Sequence, residues 1–222
     1  VTGKAVEQAC EKLKNNLCDL ALQTFHCEKE DVEFTSQGVK NLKTNELLTL
    51  KELALKAMCG NNIETQVTVT HSSPVSPPPY MVGMVEIELD KETGQVDILD
   101  YVAVVDCGTV INTNLARVQT EGGLVQGIGM ALYEDVQYTK RGAIPENSFM
   151  QYKIPTRLDM GKIRVEFESS YEPTGPFGAK SIGEIVINTP SPAIANAIYR
   201  ATDKYLKDLP MTPEKILMAI DE

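Results

Sequence analysis

The residue of this 222-residue chain best suited to acid–base chemistry is Glu184, in the stretch G-A-K-S-I-G-E-I-V-I. Gly178 and Gly183 precede it, and Ile182, Ile185, Val186 and Ile187 surround it. A carboxylate among such side chains is expected in a poorly solvated place. Desolvation there raises its pKa towards the range of a general base, whereas the nearby Lys180 would lower it. Spacing alone leaves a second arrangement open, in which Glu184 caps or pairs with Lys180 at a surface helix start. Gln119 and Gln126 are amides among apolar and small residues. Each is able to donate and accept hydrogen bonds to a polar cofactor without titrating.

Other candidates are weaker. Cys107 follows Asp106 and precedes Gly108 at the end of an apolar run, a place where a reactive group could sit. With no histidine near it in sequence, a small buried hydrophobe is the preferred reading. The remaining cysteines, Cys10, Cys18, Cys27 and Cys59, form no C-x-x-C pair and read as reduced thiols. His26 and His71 lack a second ligand at metal spacing, so no protein-ligated zinc site is expected. The glycine-rich run from Gly122 to Gly129 invites a dinucleotide reading, but Leu132 stands where a third glycine is needed. Close helix packing through Gly123 and Gly127 fits the run better.

These residues must be carried by regular elements. Val6, Cys10, Leu13, Leu17 and Leu20 recur at helical spacing and predict an amphipathic first helix. Strand signals follow at Val32–Phe34 and around Val39, then a helix capped by Thr49 that carries Leu50, Leu53 and Ala54 inward. The alternation of Val67 and Val69 suggests an edge strand before the proline run S-S-P-V-S-P-P-P. Next, M-V-G-M-V-E-I-E-L-D, the turn K-E-T-G and Q-V-D-I-L-D-Y-V-A-V-V-D predict a β-hairpin, with Gly94 at positive φ. The continuous apolar run Val102–Val105 reads as a strand buried on both faces.

Val125, Ile128 and Leu132 then predict a helix, and strands are expected near Gln151–Ile154 and Ile163–Phe167. The end is helical. One helix starts at Pro192 and carries Ala193, Ile194, Ala197, Ile198, Ala201 and Tyr205, and a second opens on Thr212-Pro213-Glu214.

Composition bounds the class. With 42% hydrophobic residues the chain is able to bury a core. Its 31 acidic against 21 basic residues, a net charge of -10, oppose binding to nucleic acid or an anionic membrane. No apolar run approaches a membrane span and the start lacks signal-peptide anatomy, so a cytoplasmic location is expected.

Read in order, the chain carries V-E-I-E-L-D-K-E-T-G-Q-V, Y-V-A-V-V-D-C-G-T-V-I-N and V-Q-T-E-G-G-L-V-Q-G-I-G-M-A-L-Y-E. M-Q-Y-K-I-P-T, G-A-K-S-I-G-E, S-P-A-I-A-N-A-I and L-P-M-T-P-E-K-I-L follow. This series resembles the C-terminal part of the molybdopterin-binding subunit of the xanthine dehydrogenase/aldehyde oxidase family of molybdenum hydroxylases. The first residues, V-T-G-K-A-V, are similar to that family's V-T-G-N-A-V, which extends the likeness over the whole chain.

The resemblance implies that Glu184 is the general base. It would take a proton from the hydroxyl about to attack an electron-poor carbon of a purine-like N-heterocycle or an aldehyde. It further implies that Gln119 hydrogen-bonds the cofactor near the metal and that Ser181, Ile182 and Gly183 line the same pocket. Ile185 departs from the family, which usually has proline after the glutamate.

The resulting expectation is an α+β fold, a mixed sheet with flanking helices, forming a C-terminal molybdenum-cofactor-binding domain. Residues 1–71 are read as a small α/β lobe, 72–80 as a proline-rich connector and 81–222 as a hairpin and helical lobe carrying Glu184. The cofactor is molybdopterin with molybdenum, plain or as the cytosine dinucleotide, with 2Fe-2S and FAD in partner domains or subunits. Since the family's other cofactor loops would lie upstream of Val1, the chain is read as a fragment that needs the rest of its subunit and is inactive alone. The rival reading is a non-catalytic assembly domain that keeps the fold.

Overall fold

A computed structural model of the chain describes residues 1–59 and 65–221. It divides into two compact units, Val1–Ser76 with Thr174–Pro176, and Pro77–Pro173 with Phe177–Glu222.

The first unit opens with helix α1, Thr2–Phe25, which ends where His26 takes a left-handed conformation and its amide bonds Leu22 O. Only the C-terminal part of α1 packs closely, through Leu20 and Ala21, while Val6 and Cys10 are exposed. The predicted apolar stripe is therefore used at one end only. Strands β1 (Val32–Thr35), β2 (Gly38–Asn41) and β3 (Leu47–Thr49) form an antiparallel sheet in that order. Helix α2, Leu50–Met58, starts at a capping box in which Thr49 Oγ1 accepts from the Glu52 amide and Glu52 Oε2 accepts from the Thr49 amide. Leu53 is buried as expected, whereas Leu50, at the first turn, is exposed. Leu20, Ala21, Val39 and Leu53 make a small core.

The second unit is built on a mixed sheet. Strand β4 (Tyr80–Leu89) pairs antiparallel with β5 (Val96–Asp106), and β5 pairs parallel with β6 (Lys162–Phe167). Gly94 takes φ 74° in the turn joining the first two strands, as the hairpin requires. A register shift opposite Glu86 and Ile87 leaves Leu99 without a partner on β4. Along β5, Tyr101, Ala103 and Val105 are buried, while Val102 and Val104 are only half-buried. The apolar run thus covers one fully buried face rather than two.

Helices α3 (Thr113–Leu132) and α4 (Pro190–Thr202) close that face. Tyr101, Leu124, Ile128, Ile194 and Ile198 lie at the centre of the core. Helix α4 starts at Pro190, two residues before the predicted Pro192, and ends where Asp203 adopts a left-handed conformation. Tyr205 therefore lies beyond the helix and stacks on Tyr199. Helix α5, Pro213–Asp221, begins at the predicted Thr212-Pro213-Glu214 start and buries Ile216.

Two expected strands are not formed. Residues 66–71 and 151–154 take no part in either sheet. No described helix is long and apolar enough to cross a membrane.

Candidate active site

The site is assembled on the exposed side of α3. Asn112 caps the helix, its Oδ1 accepting from the Leu115 amide at 3.0 Å. Further along, two glycines let another segment approach. A Cβ on Gly123 would collide with the Val186 side chain, and one on Gly127 would stand 2.6 Å from Pro190 Cγ and 2.9 Å from Ile187 O. The close-packing reading of these glycines is the one the structure adopts. Against them rests a single helical turn, Ile185–Ile187, in which Val186 is buried.

This packing sets Glu184 and Gly183 beside Gln119, although 64 residues separate Gln119 from Gly183. Gln119 Nε2 donates to Gly183 O at 3.5 Å, the long limit of a hydrogen bond. Gln119, Gly122, Gln126, Gly183, Glu184 and Asn188 all face one cavity of about 680 Å³. Gln119 and Gln126 share it because residues seven apart return to the same side of an α-helix.

Of the residues assigned by resemblance, Gln119, Gly183 and Glu184 meet in the cavity, while Ser181 and Ile182 do not line it. Asn188 joins the site without a sequence signal, since nothing in N-T-P distinguishes it from a turn residue. Gln126, an amide that the sequence offers beside Gln119 for holding a polar cofactor, lines the same cavity.

Two expectations for Glu184 are corrected. Its side chain is exposed rather than poorly solvated, because Val186 is the residue that turns inward and Glu184 points the other way, into the cavity. Nor does it pair with Lys180. Lys180 Nζ instead bonds Asp106 Oδ2 at 2.7 Å, and the Glu184 carboxylate makes no hydrogen bond or ion pair among the described residues.

Asp106, the last residue of β5, is a hub. Its Oδ1 accepts from Ser170 Oγ at 2.6 Å and from the Gly108 amide at 2.9 Å. The Lys180 ammonium, with Ser170 in support, pulls the Asp106 carboxyl down from 3.8 to about 2. Cys107 beside it is buried, and burial pushes its thiol up, away from the thiolate a nucleophile needs. No metal-binding cluster of His, Cys, Asp or Glu occurs among the described residues. His26 serves as a helix cap instead.

Amides, small residues and one free carboxylate around an open hollow suit a bulky polar ligand held by hydrogen bonds. Residues 1–161 match the family described as the molybdopterin cofactor-binding domain. The chain is 31% identical over 223 residues to "Probable hypoxanthine oxidase XdhD" of Escherichia coli (strain K12), covering 100% of this chain and 23% of that protein. It is 32% identical over 221 residues to "Xanthine dehydrogenase molybdenum-binding subunit" of Escherichia coli O157:H7, covering 97% of this chain and 29% of that one. The crystal structure of a Cu,Mo-CO dehydrogenase superimposes with a TM-score of 0.82 over 100% of this chain and 29% of that chain, at 24% identity. That last likeness bears on the fold alone.

The chain belongs to the molybdopterin cofactor-binding domain family, within the molybdenum hydroxylases of xanthine dehydrogenase and aldehyde oxidoreductase type. It spans only about a quarter of the length of the curated relatives it matches, 23% and 29% of the two named here.

Proposed function

We propose that this chain forms one wall of the active site of a molybdenum hydroxylase, with Glu184 as the general base and Gln119 as a cofactor-holding residue. The observation that carries this reading is the meeting of Gln119, Gly183 and Glu184 at one cavity, from segments far apart in sequence.

The cavity fits molybdopterin by its donor set and by its open wall. Gln119, Gln126 and Asn188 offer both donors and acceptors to a pterin's heteroatoms. Gly122 supports the fit independently. It lies inside α3, where glycine costs about 1 kcal/mol relative to alanine, yet beyond the local backbone of its own helix no atom of the described residues lies within 4 Å of where its Cβ would stand. Packing does not require that glycine, whereas a ligand lying close against the helix does. Gly183, across the cavity, is equally open.

When bound, the molybdenum cofactor supplies the redox centre that takes two electrons from the substrate carbon. Glu184 contributes the proton transfer. Its carboxylate, free of hydrogen-bonding partners among the described residues, accepts the proton of the water-derived oxygen as that oxygen attacks an electron-poor carbon. The substrate class is a purine-like N-heterocycle or an aldehyde. Partner 2Fe-2S and flavin groups would carry the electrons away, and the cofactor that Gln119, Gln126 and Asn188 would hold is molybdopterin or its cytosine dinucleotide. The remaining cofactor contacts come from the rest of the subunit, and the chain alone is inactive.

The test is Glu184→Gln in the full-length subunit, assembled with its partners. The expected result is a fall in kcat of about 10²-fold or more, the scale of a lost general base, with molybdenum content unchanged. Retained activity would refute the base role, whereas a full-length complex that holds no molybdenum and shows no activity would favour a non-catalytic assembly domain.

A further inference from the structure

We infer that Asp106 and Lys180 are a positioning pair that fixes where the Glu184 carboxylate stands, an inference that rests on the general-base reading of Glu184. No side chain among the described residues holds the Glu184 carboxylate, so its place is set by the backbone that bears it. That backbone is fastened on both sides and exposed between.

On the C-terminal side the fastening is the packing of Val186 against Gly123 on α3. On the N-terminal side, residues 178–180 are stitched to the end of β5. The Lys180 amide donates to Cys107 O at 2.7 Å and the Thr109 amide to Gly178 O at 2.8 Å. Gly108 and Ala179 form a β-bridge there. Gly108 has φ 70°, and a Cβ on it would strike Gly178 O, so the two backbones meet without a side chain between them.

The Lys180 side chain closes this junction. It is 10% exposed against 20% for Asp106, and its ammonium lies 2.7 Å from Asp106 Oδ2 and 5.6 Å from the centre of the Tyr80 ring. Asp106 is held in turn by Ser170 and by the Gly108 amide, so all three contacts converge on one carboxylate at the end of the central strand. A shielded, multiply bonded ion pair gives direction as well as attachment. The segment from Ser181 to Glu184 is thus suspended between the end of the central strand β5 and helix α3, and loosening either end moves the base relative to Gln119.

The discriminating experiment uses the full-length subunit in its assembled holoenzyme. Lys180→Met keeps an unbranched side chain, one heavy atom shorter, and removes its charge. It is expected to lower kcat by about 10- to 100-fold, the scale of a reacting group displaced by an ångström, with KM changed by less than about threefold and molybdenum content retained. Lys180→Arg restores the ion pair and is expected to recover kcat to within about threefold of the parent. Adding Lys180→Met to Glu184→Gln should lower kcat no further, because a base that has been removed cannot be misplaced.

Three results would overturn the positioning role: unchanged kcat in Lys180→Met, a loss that follows loss of bound molybdenum, or losses that multiply in the double variant. Glu184→Gln alone reports on the underlying reading. If it keeps full activity, the general base is elsewhere and the pair has nothing to position.

Discussion

Glu184 has φ -91° and ψ -25°, a right-handed helical conformation. Proline at the next position disfavours that region for the residue before it, because its Cδ crowds the preceding amide and Cβ. Ile185 leaves the conformation accessible, so the departure from the family's glutamate-proline pair has a local structural counterpart in this chain. Asp106 gives the residue scale its pH dependence. A carboxyl lowered to about 2 in the folded chain and near 3.8 when unfolded stabilises the fold above about pH 4, and that contribution is lost as pH falls through about 2. The pair is partly reached by solvent, so at neutral pH the contribution is on the order of 1 kcal/mol. Denaturant midpoints of the chain and of Asp106→Asn, measured from pH 6 to pH 2, are therefore expected to converge as the acid end is reached. A difference that stays constant with pH would contradict the ion-pair account. Residue type drew attention to Glu184, but its apolar neighbours misled about its solvation, since the side chain is exposed, and the base role came from the family resemblance. Lys180's true partner was not legible, since Asp106 lies 74 residues away and only the fold brings the two together.

The elements make use of glycine in two opposite ways within one helix. Gly127 lets Pro190 and the Ile187 carbonyl approach α3, whereas Gly122 faces open space beside the cavity. Alanine at Gly127 is expected to lose about 1–3 kcal/mol through overpacking, less about 1 kcal/mol regained in helix propensity. Alanine at Gly122 has only the propensity gain of about 1 kcal/mol. Thermal melts of the two variants should shift in opposite directions, and in the full-length subunit Gly122→Ala should retain less molybdopterin. A lower melting temperature for Gly122→Ala would show that packing does require this glycine. Spacing disclosed the helix and the glycine pair at its packed side, because both are local in sequence. The failed strands show where such reading ends. Val67 and Val69 alternate correctly, but alternation makes a strand only where a neighbour offers a free edge, and residues 66–71 join no ladder. The half-buried Val102 and Val104 follow the same logic, since an apolar run states what is able to be buried and the packed layers decide what is.

At the scale of the whole chain, two hydrophobic cores of unequal size share one polypeptide. Leu20, Ala21, Val39 and Leu53 hold the first unit, while the second is organised around Tyr101, Leu124, Ile128, Ile194 and Ile198. The division falls between Ser76 and Pro77, inside the proline run where few side chains are able to bury themselves. Thr174–Pro176 nevertheless belong with the first unit, which no local pattern announces. Separate cores predict separate stability. Truncating a fully buried leucine or isoleucine to alanine costs about 2–5 kcal/mol, and most of that is felt by the cooperative unit that contains it. Leu53→Ala is therefore expected to speed amide hydrogen exchange across β1, β2, β3 and α2 while β5 keeps its protection. Ile128→Ala should do the reverse, exposing β5 and α3 and sparing the first sheet. Exchange read residue by residue distinguishes this from a single cooperative fold, in which either substitution would raise exchange in both cores by the same factor.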